Sequence, residues 1–138
     1  MKTLPSKSVW VTVRSAQEGF HNWPEAPGRK TYLRHRHRHL FHYEVSLQVM
    51  ELNRQVEFHD LLHSMQDRLS PDWGAMSCEM IALELAQFAT QQFKMNARVS
   101  VFEDGECGAT VEVDYDEEPT ETRMQEVLRN KELAVPTA

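Results

Sequence analysis

Cysteine is scarce in this chain of 138 residues, and its scarcity excludes two common ways of stabilising a small domain. The two cysteines, Cys78 and Cys107, lie far apart in the sequence and form no CxxC spacing. A zinc knuckle needs clustered thiolate ligands, and a disulfide framework needs several cysteine pairs. Neither is expected here, because a domain of this length can bury a sizeable core without such cross-links.

Long apolar runs are also missing. No stretch approaches the ~18–20 consecutive apolar residues that a membrane-spanning helix requires. Residues 1–13 contain no continuous apolar segment of the kind found in a secretory signal. The sequence therefore predicts a cytoplasmic protein that has no membrane as a partner.

Basic side chains are fewer than acidic ones, and the formal net charge is −6. Residues 103–138 carry eleven acidic and three basic side chains, so most of the acidic excess lies at the C-terminal end. This overall sign disfavours the binding of long nucleic acid. We expect a single domain over residues 1–116 and an acidic C-terminal tail over residues 117–138.

Basic side chains crowd the segment before the second apolar run, where they form either a site for an anionic ligand or a solvated surface. They are Arg29, Lys30, Arg34, Arg36 and Arg38.

Hydrophobic periodicity predicts the element order β-β-α-α-β-β. Strand-like alternation and helix-like spacing follow one another over residues 8–14, 34–50, 58–69, 77–93, 97–101 and 109–115. Ser77 is the expected N-cap of the second helix, and Asp104-Gly105 is the expected turn between the last two strands. This order predicts an α+β fold, in which two helices pack on one face of a four-stranded antiparallel sheet.

Histidine is the abundant reactive side chain, with seven residues in the chain. Successive side chains of a strand alternate between its faces, so His35, His37 and His39 share the inward face of the second strand. Imidazoles at this spacing can reach one metal ion, and three protein ligands leave the open position that a catalytic zinc site requires. His21, in the predicted loop after the first strand, is the best third ligand. The alternatives are a solvent-facing anion patch and an edge strand guarded by charge.

Two carboxylates and one thiol complete the set of predicted site residues. Glu103 extends the inward face of the third strand, where the donors of a guanine or pterin ring edge could offset its desolvation; alternatively it lies at the strand's wet end. Glu79 falls in the first turn of the second helix, a position that the helix dipole alone favours. Beside it, Cys78 is either a thiolate activated by the helix N-terminus or a small buried side chain.

In this order, these residues resemble the 6-pyruvoyltetrahydropterin synthase and 6-carboxytetrahydropterin synthase family, which has the tunnelling fold. His21 and His37-Arg38-His39 match its zinc ligands, Ser77-Cys78-Glu79 resembles its Thr-x-Glu element, and Glu103 resembles its ring-anchoring glutamate. The resemblance covers roughly residues 9–115. It implies a Zn²⁺ cofactor, substrate binding by Glu79 and Glu103, and a homo-oligomer with sites between subunits.

Two elements of the family pattern are absent. The family's catalytic cysteine before the His-x-His has no counterpart, since Leu33 and Thr31 stand there, and its Asp-His pair is missing from residues 67–76. One hypothesis is a zinc-dependent lyase acting on a pterin or 7-deazapurine precursor, in which Cys78, His35 or His63 replaces a missing catalytic group. The alternative is a non-catalytic module that binds or sequesters a purine-like nucleotide or a protein partner through the same pocket.

Overall fold

Two long strands open the fold in the computed structural model, which describes residues 8–116. β1 spans Val9–His21 and β2 spans His37–Val49, and they pair antiparallel from Val9 opposite Val49 to His21 opposite His37. β1 is longer than the strand predicted over residues 8–14. Its second half has little apolar alternation of its own, but β2 offers backbone hydrogen-bond partners along the full length.

Between these strands, residues Gly28–Arg34 form a short 3₁₀ helix that the sequence did not predict. The remaining elements are α1 (Phe58–Gln66), α2 (Cys78–Phe93), β3 (Ala97–Glu103) and β4 (Cys107–Val113). The four strands form one antiparallel sheet in the order β1-β2-β3-β4. The predicted α+β fold and β-β-α-α-β-β order are confirmed, whereas the predicted acidic tail lies outside the described residues.

The core lies between one face of this sheet and the two helices. Apolar residues of β2, β3 and α2 that were predicted to face inward are buried there. The most enclosed are Phe41, Leu47, Ile81, Leu85, Val99 and Val101. Ser77 caps α2 as predicted, because its side chain accepts a hydrogen bond from the backbone N–H of Met80. α1 ends earlier than predicted, at Gln66, and its first residue, Phe58, is exposed.

The opposite face of the sheet carries polar cross-strand pairs. Arg14 pairs with Glu44, and Arg98 pairs with Glu112. Hydroxyl groups pair between neighbouring strands in the same way, at Thr12 with Ser46 and at Ser100 with Thr110. Such pairs stabilise a sheet surface that faces water, which explains why both helices pack on the other side. Within residues 8–116, neither helix has the length and apolar character needed to cross a bilayer.

A buried hydrogen bond links the loop before α2 to the centre of the sheet. The indole N–H of Trp73 donates to the hydroxyl oxygen of Tyr43 at 2.8 Å, and burial raises the pKa of Tyr43 to about 12. Replacing Tyr43 by phenylalanine leaves the indole N–H without an acceptor, so we expect the free energy of unfolding to fall by about 1–3 kcal/mol. Urea denaturation measures this loss. Tyr32→Phe, at an exposed position, is the control, and equal stability of the two variants would contradict the expectation.

Candidate metal centre

Three imidazoles meet where β1 ends and β2 begins. The strand register places His21 directly opposite His37, and His39 follows two residues later on the same face. Their ring centroids are 4.6 Å (His21–His37), 5.1 Å (His21–His39) and 4.9 Å (His37–His39) apart. One nitrogen of each ring lies within 4.8 Å of the corresponding nitrogens of the other two. The predicted cluster therefore forms, and it could hold a metal ion.

Each of these rings is oriented by a hydrogen bond from its Nδ1 atom. His21 donates to the backbone oxygen of Met76 at 3.0 Å, and His37 donates to that of His35 at 2.8 Å. His39 donates to the carboxylate of Asp104 at 2.7 Å. Histidines that bind metals characteristically use their second nitrogen in this way, which fixes the tautomer and the ring orientation.

The hydrogen bonds at Nδ1 leave the Nε2 atoms as electron-pair donors. The Nε2 atoms of His21 and His39 are buried and make no hydrogen bond. Buried polar nitrogens of this kind are rare in folded proteins, because leaving one without a partner is costly. A cation bound between the rings would satisfy both atoms at once, so this observation fits a metal better than a purely structural role.

Burial also favours the protonation state of His21 that a metal needs. Desolvation is the largest influence on His21 and lowers its pKa, which favours the neutral imidazole. The hydrogen bond from His39 and the backbone N–H of Leu40 lower the pKa of Asp104, so this residue is a carboxylate at neutral pH. Asp104 therefore holds His39 with a charged acceptor. No motif in the sequence relates Asp104 to a metal site, apart from its position next to Glu103.

Two details of the predicted histidine set are wrong. His21 is the last residue of β1, not a loop residue, because β1 runs further than its apolar alternation. His35 does not share the inward face, since the 3₁₀ helix ends at Arg34 and β2 begins only at His37. The His35 side chain is exposed, and the residue contributes only its backbone oxygen to the cluster.

Glu103 lies against the same imidazoles, on the inward side of β3 as predicted. Its Oε1 atom is 3.1 Å from Nε2 of His21, and its Oε2 atom is 3.5 Å from Nε2 of His39. The thiol of Cys78 donates to Oε1 over 3.8 Å. Side chains of the protein itself therefore offset part of the cost of desolvating Glu103, which a bound ring edge was expected to offset.

A cavity of about 560 Å³ opens beside the cluster. This volume falls within the range of ~300–1,000 Å³ that is usual for small-molecule sites. The side chains on its wall that bear on chemistry are His21, His37, Cys78, Glu79, Glu103 and Trp23. All of the predicted site residues except His39 therefore border one cavity, and His39 reaches it through Glu103. Trp23, which the sequence did not single out, adds a partly exposed aromatic surface.

The thiol of Cys78 is held in its protonated form. Burial is the main cause, and with the nearby carboxylates of Glu103 and Glu79 it raises the pKa of Cys78 to about 12. This direction is opposite to the one expected from the helix N-terminus, because desolvation and negative charge outweigh the helix dipole here. The structure thus favours the interpretation of Cys78 as a small buried side chain over that of an activated thiolate.

The state of this thiol can be checked by alkylation. At neutral pH, we expect iodoacetamide to modify the exposed Cys107 and to leave the buried Cys78 unmodified in the folded protein. Mass spectrometry of peptides locates the label, and denatured protein, in which both thiols react, is the control. Faster labelling of Cys78 than of Cys107 would show that Cys78 is an activated nucleophile after all.

The arginines near the start of β2 already have partners within the protein. Arg36 pairs with Asp72 at 2.9 Å, Arg38 pairs with Glu18, and Arg34 donates to the backbone oxygen of Ala26 at 2.8 Å. These contacts favour a solvated surface over an anion site formed by the whole cluster.

No family model matches the chain, and no curated protein matches it.

Proposed function

We propose that this chain is a diverged, zinc-dependent protein similar to 6-carboxy- and 6-pyruvoyl-tetrahydropterin synthases, and that it acts on a pterin or purine-type nucleotide. One observation carries the proposal. One ring nitrogen each from His21, His37 and His39 converges beside a cavity that has carboxylates in its wall. Three neutral imidazoles form the ligand set of several catalytic zinc sites, and imidazole nitrogen suits zinc among the available metals.

The cavity wall suits a flat, nitrogen-rich ring. Glu79 and Glu103 present carboxylates that can accept two parallel hydrogen bonds from a guanidine-like ring edge. Trp23 offers an indole face for stacking, and the ammonium group of Lys30 lies 5.6 Å from the centre of that ring, where it can meet a phosphate. A bound zinc ion supplies Lewis-acid polarisation of an oxygen on the ligand.

The state of Cys78 bears on whether the site is catalytic. A lyase of this type needs groups that move protons, and Cys78 is a candidate for one of them in this chain. Its protonated, buried thiol is a poor nucleophile and a poor base at neutral pH. This observation supports the second candidate function, a non-catalytic module that binds or sequesters the nucleotide in the same cavity.

The proposal includes a homo-oligomer in the cytoplasm. β1 and β4 are the two edges of the described sheet, and sheet edges carry unpaired backbone groups that proteins usually cover. A second copy of the chain could cover them. Both cysteines are free thiols, which suits a reducing compartment.

Incubation of the zinc-loaded protein with dihydroneopterin triphosphate, and in parallel with GTP, tests the proposal. Calorimetry measures binding, and mass spectrometry of the small molecules measures turnover. Binding of one compound with conversion supports the lyase, and binding without conversion at any pH supports capture. Glu79→Gln should weaken binding at least about tenfold by removing a charged acceptor, whereas Glu106→Gln, in the exposed β3–β4 turn, should not. If neither compound binds, the result contradicts the proposal.

A further inference from the structure

We infer that Glu103 is a fourth protein ligand of the metal held by His21, His37 and His39 when no other molecule fills the cavity. This role rests on the proposed zinc site and adds to it, because the resemblance gives Glu103 only the task of anchoring a ring. The two carboxylate oxygens lie 3.1 Å and 3.5 Å from the Nε2 atoms of His21 and His39. Those are the two buried nitrogens that lack a hydrogen-bond partner.

The distances in this arrangement fit a metal ion shared by the two rings and the carboxylate. A histidine nitrogen and a carboxylate oxygen that bind the same zinc ion in tetrahedral geometry lie about 3.3–3.5 Å apart. The 3.1 Å and 3.5 Å from the oxygens of Glu103 to the two Nε2 atoms are close to this spacing. The Nδ1 atoms of His21 and His39 already face oxygen acceptors, so the Nε2 atoms are the ones left to bind a metal.

The surroundings hold Glu103 in this position. Glu103 lies directly opposite Phe41 in the β2–β3 register, and Phe41 is fully buried beneath the rings of His21 and His39. From α2, the Cys78 thiol donates to Oε1, which fixes the carboxylate from the other side. A molecule entering the cavity would therefore have to displace Glu103 from the metal, and the released carboxylate would then face that molecule.

Cobalt(II) substitution tests this assignment, because the visible absorption of protein-bound Co²⁺ changes when a ligand is lost. Metal-free wild-type protein and the Glu103→Gln and Glu79→Gln variants are each loaded with Co²⁺, and Zn²⁺ affinity is measured by competition with a chelator. We expect Glu103→Gln to shift the Co²⁺ band and to weaken Zn²⁺ binding at least about tenfold. Glu79→Gln removes one negative charge from the same cavity without removing a proposed ligand, so it should leave the Co²⁺ band unchanged.

Glu103→Asp provides a second variant that keeps the charge but shortens the side chain, and it should also shift the Co²⁺ band. Weaker Zn²⁺ binding with an unchanged band in both Glu103 variants would overturn the assignment, since it would show an electrostatic effect without a bond to the metal. An unchanged Co²⁺ band together with an unchanged Zn²⁺ affinity would also overturn the assignment, while leaving the three-histidine site intact. Failure of the wild-type protein to take up Co²⁺ or Zn²⁺ would instead contradict the proposed zinc site itself.

Discussion

Replacing His37 by alanine is expected to reduce bound zinc from about one ion per chain to a trace after dialysis. Zinc sites in small proteins bind with about 10–16 kcal/mol in total, so the loss of one ligand among three or four removes about 3–4 kcal/mol. That change weakens binding more than about a hundredfold. Inductively coupled plasma mass spectrometry measures the zinc content of the purified, dialysed protein.

The matched control is His35→Ala. His35 is the same residue type two positions earlier, its side chain is exposed, and only its backbone oxygen supports His37. That oxygen remains in the alanine variant, so we expect the zinc content to stay at the wild-type value. Equal zinc loss in both variants would indicate non-specific binding by the histidine-rich segment, and no loss in His37→Ala would contradict the assigned ligand.

Replacing Phe41 by alanine is the change with the largest expected effect on stability. Phe41 is fully buried, and its ring lies 5.2 Å from that of His21 and 5.6 Å from that of His39. Truncating a buried phenylalanine to alanine usually costs about 3–5 kcal/mol. Because the free energy of unfolding of a small protein is only about 5–15 kcal/mol, this substitution would remove much of the protein's stability. Denaturation by urea at 25 °C measures the change.

Phe102→Ala is the control for this substitution. Phe102 lies on β3 opposite His42, on the sheet face that carries no helix, and it is only partly buried. Its removal leaves little cavity, so we expect a loss below about 2 kcal/mol. Similar losses for both variants would contradict the placement of the core on one face of the sheet. The two imidazoles above Phe41 also lose support in Phe41→Ala, so its zinc affinity should fall as well.

Local patterns were sufficient to predict the elements that form the site. The strict alternation from Phe41 to Val49 identified the buried face of β2, and Ser77 identified the start of α2. Pairing of β1 with β2 then brings His21 next to His37 and His39, which requires only that neighbouring strands pair. The three-histidine cluster could therefore be predicted from the sequence alone.

Contacts between distant elements could not be predicted in the same way. Whether His35 joins the strand depends on where the 3₁₀ helix ends, and a local alternation does not contain that information. The inward face of Glu103 follows from alternation, but its contact with two imidazoles depends on the β2–β3 register. The raised pKa of Cys78 arises from burial and from carboxylates on different elements, while the sequence shows only its position at a helix N-terminus.

X-ray absorption at the zinc K-edge of the zinc-loaded wild-type protein tests whether the three histidines bind the metal. Imidazole rings bound to zinc give characteristic multiple-scattering features, whose amplitude reports how many histidines are ligands. We expect three histidines, with nitrogen and oxygen as the only ligand elements. Fewer than three histidines, a sulfur ligand from Cys78 or Cys107, or no bound zinc at all would contradict it.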